Sequence, residues 1–355
     1  MNPSPDQSVG EMLRETAHRL FQAHCDTATQ RAADQGVWPA ALWKAIEDAA
    51  LHRALVPEDA GGFGVDIADA LSLLRVAGAH AVPMPLAETM LASWLLAGAG
   101  IAIPDGPLSI GPVRDGESPE LTRTAAGWHL AGTLTRIPWA RHADYLAVFA
   151  HHNNQPWLAL TAAPGQTNEP GANVAREPRD SVRFNGRVTA SAPATVTQAT
   201  LQALGAAMRT QQIAGALTRL TEMTTQYAQD RTQFGRPIGK FQAVQQNLAV
   251  LAGQTAAAVA AADMAAEAVA GGIKLLPIAA AKARAGEAAG IGASIAHQIH
   301  GAIGFTFEHD LHFLTRRLWS WRDEFGNDAA WNRLLGTHMA RAGADRLWVE
   351  ITAAG

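Results

Sequence analysis

From about Ala199 to the end of the chain, apolar residues recur at helical spacing through long segments whose apolar faces must be buried against one another. Ile213, Leu217, Leu220 and Tyr227 form one stripe, and Val244, Leu248 and Leu251 a second. Between Ala256 and Ala270 the chain is almost entirely Ala, Val and Met, which permits close backbone approach and predicts burial on several sides. Further helices are expected over Ile278–His300 and Asp310–Trp321, the latter with Leu311, Leu314, Leu318 and Trp321 at core spacing. The last third of the chain therefore reads as a helix bundle.

The two preceding thirds differ in period. Near the start, Met12, Leu20 and Phe21, then Trp38, Leu42, Ile46 and Ala49, then Ile67, Ala70, Leu71 and Leu74 recur as on helix faces, with a Gly-rich loop over Pro57–Gly64. The middle breaks into short runs, Gly127–Ile137, Ala143–Ala150, Trp157–Thr161 and Ser181–Phe184, separated by Gly, Pro and Asn. The expected architecture is α+β, with an N-terminal helical domain (1–105), a middle antiparallel β domain (106–195) and a C-terminal four-helix bundle (196–355).

Composition narrows the function classes. A net charge of -4 and the lack of a basic run argue against a nucleic-acid partner. The polar N-terminus reads as no signal peptide, since it lacks an apolar core, and the most apolar stretch, Met90–Pro104, is shorter than the roughly 20 residues of a spanning helix. The single cysteine, Cys25, allows no internal disulfide and suits a reducing, cytoplasmic setting.

Two segments are more specific than any periodicity. The first runs Arg231-Thr232-Gln233-Phe234-Gly235-Arg236-Pro237-Ile238-Gly239-Lys240-Phe241-Gln242-Ala243-Val244-Gln245, and the second Gln298-Ile299-His300-Gly301-Ala302-Ile303-Gly304-Phe305-Thr306. A helix that ends at Arg231 and turns at Gly235 and Pro237 gathers a guanidinium, the Gln233 amide and backbone donors at one corner, a donor set suited to a pyrophosphate. Gly301 and Ala302 let a cofactor approach the backbone, with Gln298 one turn earlier as a polar anchor. Either pattern alone is a common helix end. Together, in this order within an α, β, α chain, they resemble the acyl-CoA dehydrogenase family.

The resemblance implies an FAD-dependent oxidoreductase of lipid metabolism that oxidises the Cα–Cβ bond of an acyl-CoA thioester and passes electrons to an electron-transfer flavoprotein. It also implies FAD bound between subunits by Arg231, Gln233, Phe234, Gln298, Gly301 and Ala302, in a homo-oligomer or with a second acyl-CoA dehydrogenase chain, and no metal. His297 with His300, and His309 with His312, have ligand-like spacing but read as cap, surface or pocket residues.

The chain departs from the family where the α proton must be removed. Of the two positions from which the family supplies a catalytic Glu, one holds Phe325 and the other Gly205, and a third region used by some bacterial members reads Gln211-Gln212. Glu324 and Asp323 are the neighbouring carboxylates and the remaining candidates for the base. The flavin-facing Ile-Thr-Asn run is Ile137-Pro138-Trp139, the Thr-Glu-Pro-Gly-Ser type loop is absent near Pro107–Gly116, and Asn327 and Trp331 stand where the family often has Thr and Gln. Three functions are compatible with this pattern: a self-sufficient dehydrogenase, a base-lacking subunit of a heteromeric enzyme, and a flavin monooxygenase on the same fold.

Overall fold

The computed structural model describes residues 8–114, 116–163 and 167–352. The first seven residues, read above as not a signal peptide, and position 115 of the 107–116 loop lie outside the described residues. The chain divides into two compact units, Met1–Ala70 with Pro83–Gly205, and Leu71–Val82 with Ala206–Gly355.

In the first unit the helices are α1 (Val9–His24), α2 (Thr27–Asp34), α3 (Ala40–Asp48), the start of α4 (Ile67–Ala79) and α5 (Leu86–Gly98). A capping box starts α1, in which the Ser8 hydroxyl accepts from the Glu11 amide and the Glu11 carboxylate accepts from the Ser8 amide. Its strands are β1 (Leu108–Gly111), β2 (Glu120–Thr124), β3 (Gly127–Pro138), β4 (Tyr145–His152), β5 (Gln155–Ala162), β6 (Thr167–Glu169), β7 (Arg179–Arg187) and β8 (Ala190–Pro193). They form one sheet in the order β6-β7-β3-β2-β4-β5-β8, with β1 beside β4. The long β3–β7 and β4–β5 ladders are antiparallel, whereas β1 and β2 pair with β4 in parallel, so the sheet is mixed. Leu121, Leu130, Leu134, Leu146, Val148, Val182 and Phe184 supply its core.

The second unit is built on α6 (Gln198–Asp230, from Ala206 onward), the hairpin β9 (Thr232–Gln233) and β10 (Arg236–Pro237), α7 (Gln242–Ala270), α8 (Leu275–His300), α9 (Leu311–Asp323), α10 (Asp328–Ala342) and α11 (Leu347–Thr352). Ile213, Leu217 and Leu220 from α6 meet Leu251 and Ala258 from α7, an alanine series from Ala285 to Ala296 on α8, and Leu311, Leu314, Leu318 and Trp321 from α9. Small residues on α8 bring the helices together: a Cβ at Gly292 would lie 2.6 Å from Leu217. The alanine-rich α7 is buried along one broad face and not all round. Its length and hydropathy would let it cross a bilayer, as would those of many soluble core helices, and its buried face lines the bundle.

Candidate functional site

The end of α6 creates the first half of the site. Phe234 and Gly235 form a two-residue turn with φ of 51° and 77° between β9 and β10, the left-handed geometry of tight hairpins. Gly235 adopts it freely, but Phe234 does so at some cost, and its ring is 93% exposed. That ring meets Phe241 edge-on at 6.2 Å, and the Arg236 guanidinium lies 4.3 Å above Phe241. Gln233, Phe234, Ile238, Phe241, Val244, Asn247, Gln298 and Ile299 line a cavity of about 320 Å³. Arg231 is exposed beside it, and among the described residues its side chain has no hydrogen-bond or ion-pair partner.

The C-terminus of α8 forms the second half. Gly301 has φ 64° and ψ -142°, a conformation essentially reserved for glycine, and nothing lies within 4 Å of where its Cβ would be. Gln298, Gly301 and Ala302 line a second cavity of about 560 Å³ with Ser294, His297, Phe305 and Trp319. The structure thus gathers the sequence candidates around two cavities that share Gln298, with Arg231 adjacent and lining neither.

Burial lowers the His297 pKa and pushes His300 down to about 4. His300 stacks on Tyr227 at 4.3 Å, and the Tyr227 hydroxyl donates to the His300 carbonyl at 3.3 Å. His309 accepts the Leu311 amide at 3.1 Å, a local cap, and His312 bonds through Nδ1 to the His309 carbonyl. Among the described residues no group of three or more His, Cys, Asp or Glu is arranged to hold a metal.

The remaining candidates lie in the loop between α9 and α10. Phe325 is buried, with φ 53°, and Gly326 follows with φ 88°. The Asp323 side chain is 61% exposed, 3.6 Å from Arg322. Glu324 is 12% exposed and accepts from Nε of Arg209 at 2.8 Å. Arg209, itself buried, also donates to Gln212 at 2.6 Å and lies 5.5 Å from the Phe325 ring centroid. The Gln211 amide donates to the Ala262 carbonyl and accepts from Arg75. Asn327 caps α10, and the Trp331 indole donates to the carbonyls of Phe325 and Gly326, so both serve the local fold. In the first unit, the Pro138 carbonyl accepts from the Ser109 hydroxyl and the Trp139 amide donates to Pro178.

Arg209 and Lys282 were not anticipated. Each is a cation in an alanine-rich run, Ala206-Ala207-Met208-Arg209 and Ala279-Ala280-Ala281-Lys282-Ala283-Arg284, and Arg209 and Lys282 are both buried. A charge on the inward face of such a run must find a partner inside the fold, and that was the available signal.

An exposed arginine, two side-chain amides, aromatic faces and an open glycine backbone lie together at the helix ends of the second unit. The acyl-CoA dehydrogenase N-terminal domain model matches residues 8–102, and the C-terminal domain model matches residues 195–342. The chain is 31% identical to acyl-CoA dehydrogenase IpdE2 of Mycobacterium tuberculosis over 86% of its own length and 90% of that protein's. It resembles the ChsE4-ChsE5 complex from M. tuberculosis with a TM-score of 0.81 at 26% identity, covering 97% of this chain and 100% of that one. It also shares its fold with a Tcur3481-Tcur3483 steroid ACAD variant, with a TM-score of 0.84 at 23% identity over 94% and 98% of the two chains. The chain belongs to the acyl-CoA dehydrogenase family, oxidoreductases acting on CH–CH bonds, and membership implies a flavin. The residues fit that group: Gln233 and Gln298 offer amides, Phe234 and Phe241 apolar faces, Arg231 an exposed charge, and Gly301 room for close approach.

Proposed function

We propose that this chain is one subunit of an FAD-dependent acyl-CoA dehydrogenase, and that the base removing the α proton comes from a second, related chain. Bound FAD would supply the acceptor for the β hydride, and electrons would leave through an electron-transfer flavoprotein. Arg231 would pair with the pyrophosphate, while Gln233, Phe234, Gln298, Gly301 and Ala302 would enclose the adenosine part. A charge-assisted bond from Arg231 is roughly twice as strong as a neutral one.

The observation that carries the reading is the state of the carboxylates. The resemblance puts Phe325 and Gly205 at the family's base positions, and Glu324 is bound to the buried Arg209. A general base must reach the proton it removes, and a carboxylate held by a buried guanidinium has to break that pair first. Resemblance to the ChsE4-ChsE5 complex, an assembly of two different chains, supports the same reading.

The test is to purify the chain alone and with a co-expressed relative that has Glu at the position of Phe325, then to add a panel of acyl-CoA thioesters anaerobically. Flavin bleaching is expected in the complex, with Glu324→Gln and Asp323→Asn variants turning over like wild type. Full turnover by this chain alone would refute the proposal.

A further inference from the structure

The loop from Arg322 to Gly326 is held from outside itself. Lys282, near the start of α8, is fully buried, and its Nζ donates to the Arg322 carbonyl at 2.5 Å and to the Gly326 carbonyl at 2.9 Å. The first acceptor belongs to the last turn of α9, where carbonyls lack intrahelical partners and a cation is favourable. The second lies just before α10. One ammonium therefore ties the two ends of a loop whose Phe325 and Gly326 both have positive φ. Within the tied span Glu324 meets Arg209.

We infer that Lys282 is a positioning residue for this loop, fixing its two ends so that Glu324 stays in the Arg209 pair and is withheld from proton abstraction. This rests on the reading that the chain supplies no base of its own, and it adds the device that keeps the nearest carboxylate silent. A buried lysine is costly unless its donors are used, and two of its three hydrogens go to carbonyls that no backbone N–H within the loop takes. Without the Lys282 side chain the two ends lose their common donor, and among the described residues no other group holds the Arg322 carbonyl.

Carbodiimide coupling of an amine to carboxylates, read by peptide mass spectrometry on the full chain, tests the inference. Asp323 is 61% exposed and provides an internal reference for Glu324 in the same peptide. Lys282→Met keeps the length of the side chain and removes the donors. It is expected to raise Glu324 labelling relative to Asp323 by about tenfold and to speed amide hydrogen exchange over 322–327 while α6 and α7 exchange as in wild type. A wild-type labelling ratio in Lys282→Met would overturn the inference.

Arg209→Gln separates the two contacts and remains informative should Lys282→Met fail to fold. Glu324 labelling should rise while exchange over 322–327 stays at the wild-type rate, because Lys282 still ties the loop. Faster loop exchange in Arg209→Gln would show that the ion pair holds the loop, and would overturn the role given to Lys282. Neither readout needs flavin or a second chain, so the outcome is independent of whether the heteromeric reading survives.

Discussion

Lys282 gives the stability of the protein an unusual pH dependence. Complete burial pushes its pKa from 10.5 down to about 8, only partly offset by Asp328, Asp323 and Glu324. Below pH 8 both folded and unfolded chains carry the proton, and the folded state bears the desolvation penalty. Between pH 8 and 10.5 the unfolded chain binds more protons than the folded one, so unfolding free energy rises with pH and the gain is complete above 10.5. A displacement of about 2.5 pH units, at 1.36 kcal/mol per unit, corresponds to about 3 kcal/mol. The neutral amine keeps two N–H groups, enough for the carbonyls of Arg322 and Gly326, so the tie survives deprotonation. Urea unfolding of wild type and Lys282→Met, followed by tryptophan fluorescence at half-unit steps from pH 7 to about 10.5, isolates the effect. Other titrating groups are common to both proteins and cancel in the difference. The difference should be flat below pH 8 and grow in favour of wild type by about 3 kcal/mol across the window. Parallel curves would refute the assignment of that proton to Lys282.

Arg231→Ala should release flavin at unchanged fold, weakening binding by about 10- to 100-fold for one lost charge-assisted contact, and the ratio of flavin to protein absorbance after gel filtration measures it. Gly301→Ala meets no neighbour, so any cost is backbone strain of about 1–3 kcal/mol; thermal unfolding should record it together with reduced flavin content. Arg209→Met leaves Glu324 without its buried partner and should destabilise the bundle by about 3 kcal/mol, most of which an Arg209→Met/Glu324→Gln double variant should recover in chemical denaturation.

Period and punctuation in the sequence were sufficient for the α+β class, since helical spacing in Ile213, Leu217 and Leu220 and short runs such as Gly127–Ile137 are local properties. The placement of the candidate residues was legible for the same reason: Arg231 to Phe234 and Gln298 to Ala302 are contiguous motifs that lie at helix ends, where chain direction is set by the residues themselves. The parallel pairing of β1 and β2 with β4 depends on which strands become neighbours, which no local pattern encodes. Likewise, Ala256–Ala270 looked buried on several sides because composition does not say how many helices surround it, and α7 turns out to bury one face.

The base region shows the division most clearly. The sequence alone established that Phe325 and Gly205 cannot remove a proton and that Glu324 and Asp323 were the neighbouring carboxylates. Adjacent in the chain, those two are alike as residues. Only the tertiary structure separates them, by bringing Arg209 from α6, 115 positions away, against Glu324 while Asp323 remains at the surface. Long-range pairing of a buried charge is set by the packing of α6, α8 and α9, because the desolvation that makes such a pair necessary exists only once the helices have closed around it.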